Sequence, residues 1–198
     1  MTRTVACLFV LLLAGCPTEP LRGPESLVDH TAWLDVLPSN DPWVDEKPPD
    51  DVARCDALAV YEEEFGGDST LTVDLPFCNY TVQVQPSRVE VQAGDLMTLR
   101  LWHDGFFFAA EEEPVHLAVR IGDVDVWEVF LPAPGDSGLE HVQWRRTADG
   151  DFPVGTPVYF LVNSHQVFED HGARHGANSL QFIELSRADP GWVEPDSE

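Results

Sequence analysis

The chain has 198 residues, 43% of them hydrophobic, and carries 35 acidic against 11 basic side chains for a formal net charge of −24. So acidic a surface repels phosphate backbones and anionic headgroups, which excludes nucleic-acid binding by the usual electrostatic route; beyond that, net charge speaks first to solubility. The length allows one domain of ordinary size with a real core, and not two.

The chain opens on Met1-Thr2-Arg3, then an apolar run from Val5 to Ala14, then Gly15-Cys16. A bilayer span needs about 20 apolar residues, so the run is too short to cross and has instead the layout of a secretory signal. Leu13-Ala14-Gly15-Cys16 resembles the lipobox of bacterial lipoproteins. The resemblance implies removal of residues 1–15, a diacylglycerol thioether on Cys16, and acylation of the new amino group, with palmitate as a typical chain. Two or three acyl chains, at about 0.8 kcal/mol per buried methylene, give a stable membrane anchor. Pro17 stands where lipoproteins retained in the inner membrane carry aspartate, so the resemblance points to the cell envelope and its outer membrane.

Residues 16–51 are rich in proline and acid, as in Pro38-Ser39-Asn40-Asp41-Pro42 and Lys47-Pro48-Pro49-Asp50-Asp51. Such composition stays extended and buries little, so the segment reads as a disordered tether holding a domain off the membrane. Trp33, Leu34, Val36, Leu37 and Trp43 interrupt it and suit a docking segment, laid either on the domain or on a partner. Cys7 leaves with the signal and Cys16 takes lipid, which leaves Cys55 and Cys78 as a disulfide in an oxidising compartment.

From residue 52 to 188 short β-branched and apolar runs alternate with turn signals, without helical periodicity. That is the signature of an all-β antiparallel sandwich, of jelly-roll or galactose-binding-like type. Strands are expected at 57–61, 70–75, 80–85, 88–91, 96–103, 115–121, 124–130, 142–147, 157–163 and 179–185. Gly66-Gly67-Asp68, Ala93-Gly94-Asp95, Gly122-Asp123, Asp149-Gly150-Asp151 and Gly155-Thr156-Pro157 supply the turns. Alternation places Met97, Leu99 and Leu101 inward, likewise the odd-numbered residues of 115–121, while 157–162 is apolar throughout, as for a central strand covered on both faces. By the same parity His103 faces in and His116 out, so they form no metal pair. Val91-Gln92-Ala93-Gly94-Asp95, leading into a long alternating strand, is similar to a turn of galactose-binding-like and other carbohydrate-binding sandwiches. Residues 189–198 read as an acidic tail.

Two long connections draw attention. Residues 104–113 combine three phenylalanines with three glutamates, a composition that suits either a contact surface or aromatics tucked under the sandwich edge. Residues 163–178 hold His165, His171 and His175. His171 and His175, four apart, could join Glu169 or Asp170 in a mixed nitrogen and oxygen shell of the kind zinc accepts. Yet Gly172 stands where a metalloprotease helix needs glutamate, and the loop also reads as a polar connection whose Asn163, His175 and Asn178 cap backbone groups. Asp123-Val124-Asp125 and Asp149-Gly150-Asp151 are oxygen-rich but do not extend to a calcium-loop pattern. Gly135-Asp136-Ser137-Gly138 resembles the nucleophile segment of chymotrypsin-type proteases without the surrounding residues such a triad needs, and no cysteine after Cys78 is available for blue copper.

Together these features describe a non-enzymatic envelope lipoprotein, anchored to the membrane through lipid, whose sandwich binds a surface saccharide, a polymer or an envelope protein. Phe106, Phe107, Glu111, Asn163 and Asn178 are the candidate contacts. No resident cofactor is expected. The alternative is a metal-dependent enzyme or metal-binding protein taking zinc or calcium at His165, His171 and His175, and a third reading is a structural or assembly lipoprotein.

Overall fold

The computed structural model describes residues 22–50, 52–65, 67–103, 114–132, 140–164, 179–190 and 192. Eleven strands build it: β1 (Glu25–Ser26), β2 (Leu34–Asp35), β3 (Val60–Phe65), β4 (Asp68–Asp74), β5 (Tyr80–Pro86), β6 (Leu96–His103), β7 (Val115–Ile121), β8 (Val124–Leu131), β9 (Glu140–Thr147), β10 (Pro157–Asn163) and β11 (Ser179–Ala188). One sheet runs β3-β4-β11-β6-β9, with β1 beside β11 beyond the end of β4, and the other runs β2-β5-β10-β7-β8. All pairs are antiparallel. The all-β sandwich expected from the sequence is the fold observed, and among the described residues no helix is long and apolar enough to cross a membrane.

Alternation explains why the sheets face each other. Met97, Leu99 and Leu101 of β6 meet Val115, Leu117, Val119 and Ile121 of β7 in one core with Phe160 and Phe182, all at 2% exposure or less. Strands β6, β7 and β10 have the expected limits. The hairpin between β7 and β8 turns on Gly122, whose φ of 58° lies where a Cβ is disfavoured. The expected strand at 88–91 is absent. There Val91 alone forms a bridge, to Phe152, and the Arg88 N–H donates to the Leu27 carbonyl instead of to a sheet neighbour.

Residues 22–50, which the sequence reading gives to the tether, pack on the sandwich. Leu27 and Val28 enter the main core, and β2 pairs with β5. Residues 36–47 form a strap across the outer face of the second sheet, where Trp43 closes a small second core with Tyr80, Val82, Ala118 and Leu161. This strap is the second cover that β10, apolar from 157 to 162, requires. Leu161 faces it, while Val158, Phe160 and Val162 face the main core. The Arg120 guanidinium lies 4.9 Å from the Trp43 ring, a cation–π contact.

Candidate functional site

The strap decides the facing of β5. Tyr80, Val82 and Val84 have the strap's side of the sheet, and so Thr81, Gln83 and Gln85, opposite Val162, Phe160 and Val158 in register, are aimed at the space between the sheets. Polar side chains on the inner face of a sandwich require partners. Gln83 Nε2 donates to Asp35 Oδ1 at 2.6 Å and to Thr81 Oγ at 2.8 Å, and Gln85 Oε1 accepts from the Asp29 N–H at 2.8 Å.

Where β5 and β2 of one sheet stand opposite β3 and β4 of the other, a cleft of about 510 Å³ opens. That volume is within the range of small-molecule sites. Trp33, Leu34, Tyr61, Leu71 and Tyr80 are among its large lining residues; the Asp35 and Glu62 carboxylates are exposed there, with the buried Thr81 and Gln83 behind them. Trp33 is held edge-on against Phe182, ring centroids 5.7 Å apart, so the indole is fixed before any ligand arrives.

His30 sets the back of this arrangement. The Trp33 indole N–H, a donor only, reaches His30 Nδ1 at 3.3 Å, so the imidazole proton is on Nε2, which donates to the Ile183 carbonyl at 3.1 Å. Burial pushes the His30 pKa below the ordinary histidine value. The ring is neutral, and both nitrogens are engaged. Carboxylates dominate the lining: Asp35, Asp41, Asp56 and Glu62 against Lys47. Lys47 is itself turned to Asp50, 2.7 Å away. Asp41 braces the strap, accepting from the Tyr80 hydroxyl at 2.7 Å and the Trp43 N–H at 2.8 Å. Burial, then the Asp41 carboxylate, raise the Tyr80 pKa, which keeps that hydroxyl a donor.

Of the side chains singled out in the sequence, Phe106, Phe107, Glu111, His165, His171, His175 and Asn178 lie outside the described residues. Asn163 is fully buried beneath the strap, where its Nδ2 donates to the Glu46 carbonyl at 3.2 Å, a backbone-capping role and not a place in the cleft. Cys55 and Cys78 form the expected disulfide, and Cys55 is on the cleft lining. The two histidines fall on opposite faces as parity requires. His103 shares the inner face with Leu180, and His116 faces outward under the strap, its Nδ1–H donating to Glu46 Oε2 at 2.7 Å and its ring stacked 4.2 Å from Phe130. Among the described residues no group of three His, Cys, Asp or Glu side chains is placed to hold a metal. Sequence reasoning missed Asp35, Glu62, Thr81 and Gln83. The one available signal was the polar series Thr81, Gln83, Gln85 alternating with Tyr80, Val82, Val84, whose two faces the sequence alone does not assign.

No family model matches the chain, and no curated protein matches it. Solved structures with a similar chain path include a mannan-recognising carbohydrate-binding module, TmCBM27, at 6% identity over 86% of this chain and 97% of that one, with a TM-score of 0.46. A family 29 carbohydrate-binding module complexed with cellulohexaose is 13% identical over 70% and 83%, with a TM-score of 0.39. The enzymatically active domain of tailspike protein 4 of bacteriophage CBA120 is 10% identical, TM-score 0.40, over 68% of this chain but 18% of its own length. At TM-scores below 0.5 these likenesses carry nothing about function.

Proposed function

We propose that this protein is an envelope lipoprotein, acylated at Cys16 and held in the outer membrane, whose sandwich binds a saccharide in the cleft between its sheets without transforming it. The observation that supports the binding reading is the inward aim of Thr81 and Gln83. An edge that could have been closed with apolar side chains is instead open, polar and walled by a fixed indole. A flat aromatic beside convergent amide, hydroxyl and carboxylate groups matches a sugar, which presents an apolar C–H face and a rim of hydroxyls. The carboxylates focus a negative potential in the cleft, so neutral glycans are the suitable class and uronic acid polymers are disfavoured. His30, with both nitrogens engaged, is no free general base.

Titration with a set of neutral and uronate hexasaccharides tests this. A neutral hexasaccharide should bind saturably, the uronates should not, and Trp33→Ala should weaken binding about tenfold, the factor for a loss near 1.4 kcal/mol. Because Trp33 also packs on the core, the rim variant Glu62→Gln, at an exposed side chain, serves as a second probe and should let a uronate hexasaccharide bind more readily. Absence of saturable binding by any neutral glycan, or binding indifferent to both substitutions, would overturn the reading.

A further inference from the structure

The first described residues, Arg22 to Ser26, are fixed at one end of the sandwich, while the same segment farther along lines the cleft together with Cys55 and Asp56 from the other end. The Arg22 backbone N–H and its Nε donate to the two oxygens of Asp189 at 2.7 and 2.8 Å, and β1 pairs Glu25 with Arg187 and Ser26 with Ser186. This is the pole where β11 ends, together with Leu96, Gly94 and the turn through Gly150, as the pairing of Ala188 with Leu96 and of Leu96 with Thr147 shows. Strand β11 begins at the opposite pole, where Ser179 pairs with Asp74 and Leu180 with His103. The Asp74 N–H donates to the Ala59 carbonyl at 2.8 Å there, which places Leu58 beyond the strand ends at that pole, as Tyr80 is through its pairing with Asn163. Ten residues of β-strand put the two poles about 30 Å apart.

From the order of these attachments, and resting on acylation of Cys16 as proposed above, we infer that the Arg22–Asp189 pole faces the lipid surface while the Leu58 pole, toward which the cleft extends through Cys55 and Asp56, faces away from it. Six residue steps separate Cys16 from Arg22, and fully extended they reach about 20 Å. The leash is therefore short. The 22–50 segment, folded on the sandwich, adds nothing to its reach. About 20 Å is nonetheless more than two Debye lengths at physiological salt, enough for this pole, where Glu25, Asp149 and Asp189 are paired with Arg187, Arg146 and Arg22, to stand clear of screened interaction with anionic headgroups. The protein is then a presenter, holding the distal end of its cleft away from the lipid on a leash of at most about 20 Å.

Energy transfer from a fluorophore on the full-length acylated protein to an acceptor on the lipid headgroups of phosphatidylcholine vesicles reads this directly. Gly150→Cys places a label at the proximal pole, where a Cβ would meet nothing within 4 Å, and Leu58→Cys places one on a side chain that is 88% exposed at the distal pole. Transfer from position 150 should exceed that from position 58 several-fold, and inserting ten Gly/Ser residues after Pro17 should lower the value at 150. Equal or reversed transfer from vesicle-bound protein overturns the orientation and leaves acylation and glycan binding intact. Mature protein without acyl mass that fails to float with vesicles overturns orientation and anchoring together, while glycan titration of the same sample reports on the cleft separately.

Discussion

Burial holds the His30 pKa below the ordinary histidine value, and its Nδ1 accepts from the Trp33 indole N–H, so the folded ring is neutral. A histidine whose folded pKa lies below its unfolded value takes up its proton first in the unfolded chain, so unfolding binds protons as pH falls through about 6.5 and stability drops with it. Above that pH the group contributes no slope. The urea midpoint should therefore fall between pH 7.5 and pH 5.5, and His30→Gln, which cannot charge, should reduce that fall. An equal fall in the variant would show that the acid sensitivity belongs to other groups. The substitution should also loosen Trp33, whose indole N–H would lose its partner, so glycan affinity should decline at pH 7.5 as well.

The strap is the element on which the site depends, since it sets which face of β5 looks into the sandwich. Trp43, 6% exposed, is its main anchor, and truncating a buried aromatic costs about 3 kcal/mol or more. Trp43→Ala should lower the unfolding free energy by about 3 kcal/mol, read from urea denaturation, whereas Leu37→Ala, 67% exposed on the same strap, should change it by no more than about 0.5 kcal/mol. Similar losses for the two would mean that the strap is not held by its second core. The Cys55–Cys78 disulfide, closing a separation of 23 residues beside the cleft, should contribute about 3 kcal/mol by the chain-entropy account, lost on reduction. These dependencies also explain what could be read beforehand. The 96–103, 115–121 and 157–163 strands were legible because both sheet faces there are decided by clear alternation or by nearly uninterrupted apolarity, and the disulfide because the resemblance to a lipoprotein signal assigned Cys7 and Cys16 elsewhere. Alternation in β5 gives a period but no sign, and the sign came from Trp43, Val36 and the two-residue strand β2, too short to leave any periodicity. The polar, proline-rich composition gave this segment to the tether, although Trp33, Val36 and Trp43 had marked it for docking; those side chains and backbone bonds such as the Val36 N–H to the Val82 carbonyl hold it on the domain.

At the scale of the whole molecule two electrostatic effects compete. Arginine pairs such as Arg120 with Asp125 and Arg22 with Asp189 are partly exposed attractions that salt weakens, each worth at most about 1 kcal/mol. Against them stands the mutual repulsion of an excess of acids that leaves a charge of −24, which favours expansion of the chain and which salt also weakens. With 35 acids and 11 basic residues, few carboxylates can find a cationic partner, so repulsion is the larger sum. Screening should consequently stabilise the fold. The melting temperature should rise by several degrees between about 20 mM and 0.5 M sodium chloride, a range over which the Debye length shrinks from roughly 20 Å to 4 Å. The same salt should leave binding of a neutral hexasaccharide nearly unchanged, because no charge pair forms with it, and should partly restore binding of a uronate. A melting temperature that falls with salt would mean that the arginine pairs outweigh the acid excess, and a uronate that binds best at low salt would reverse the sign assigned to the cleft.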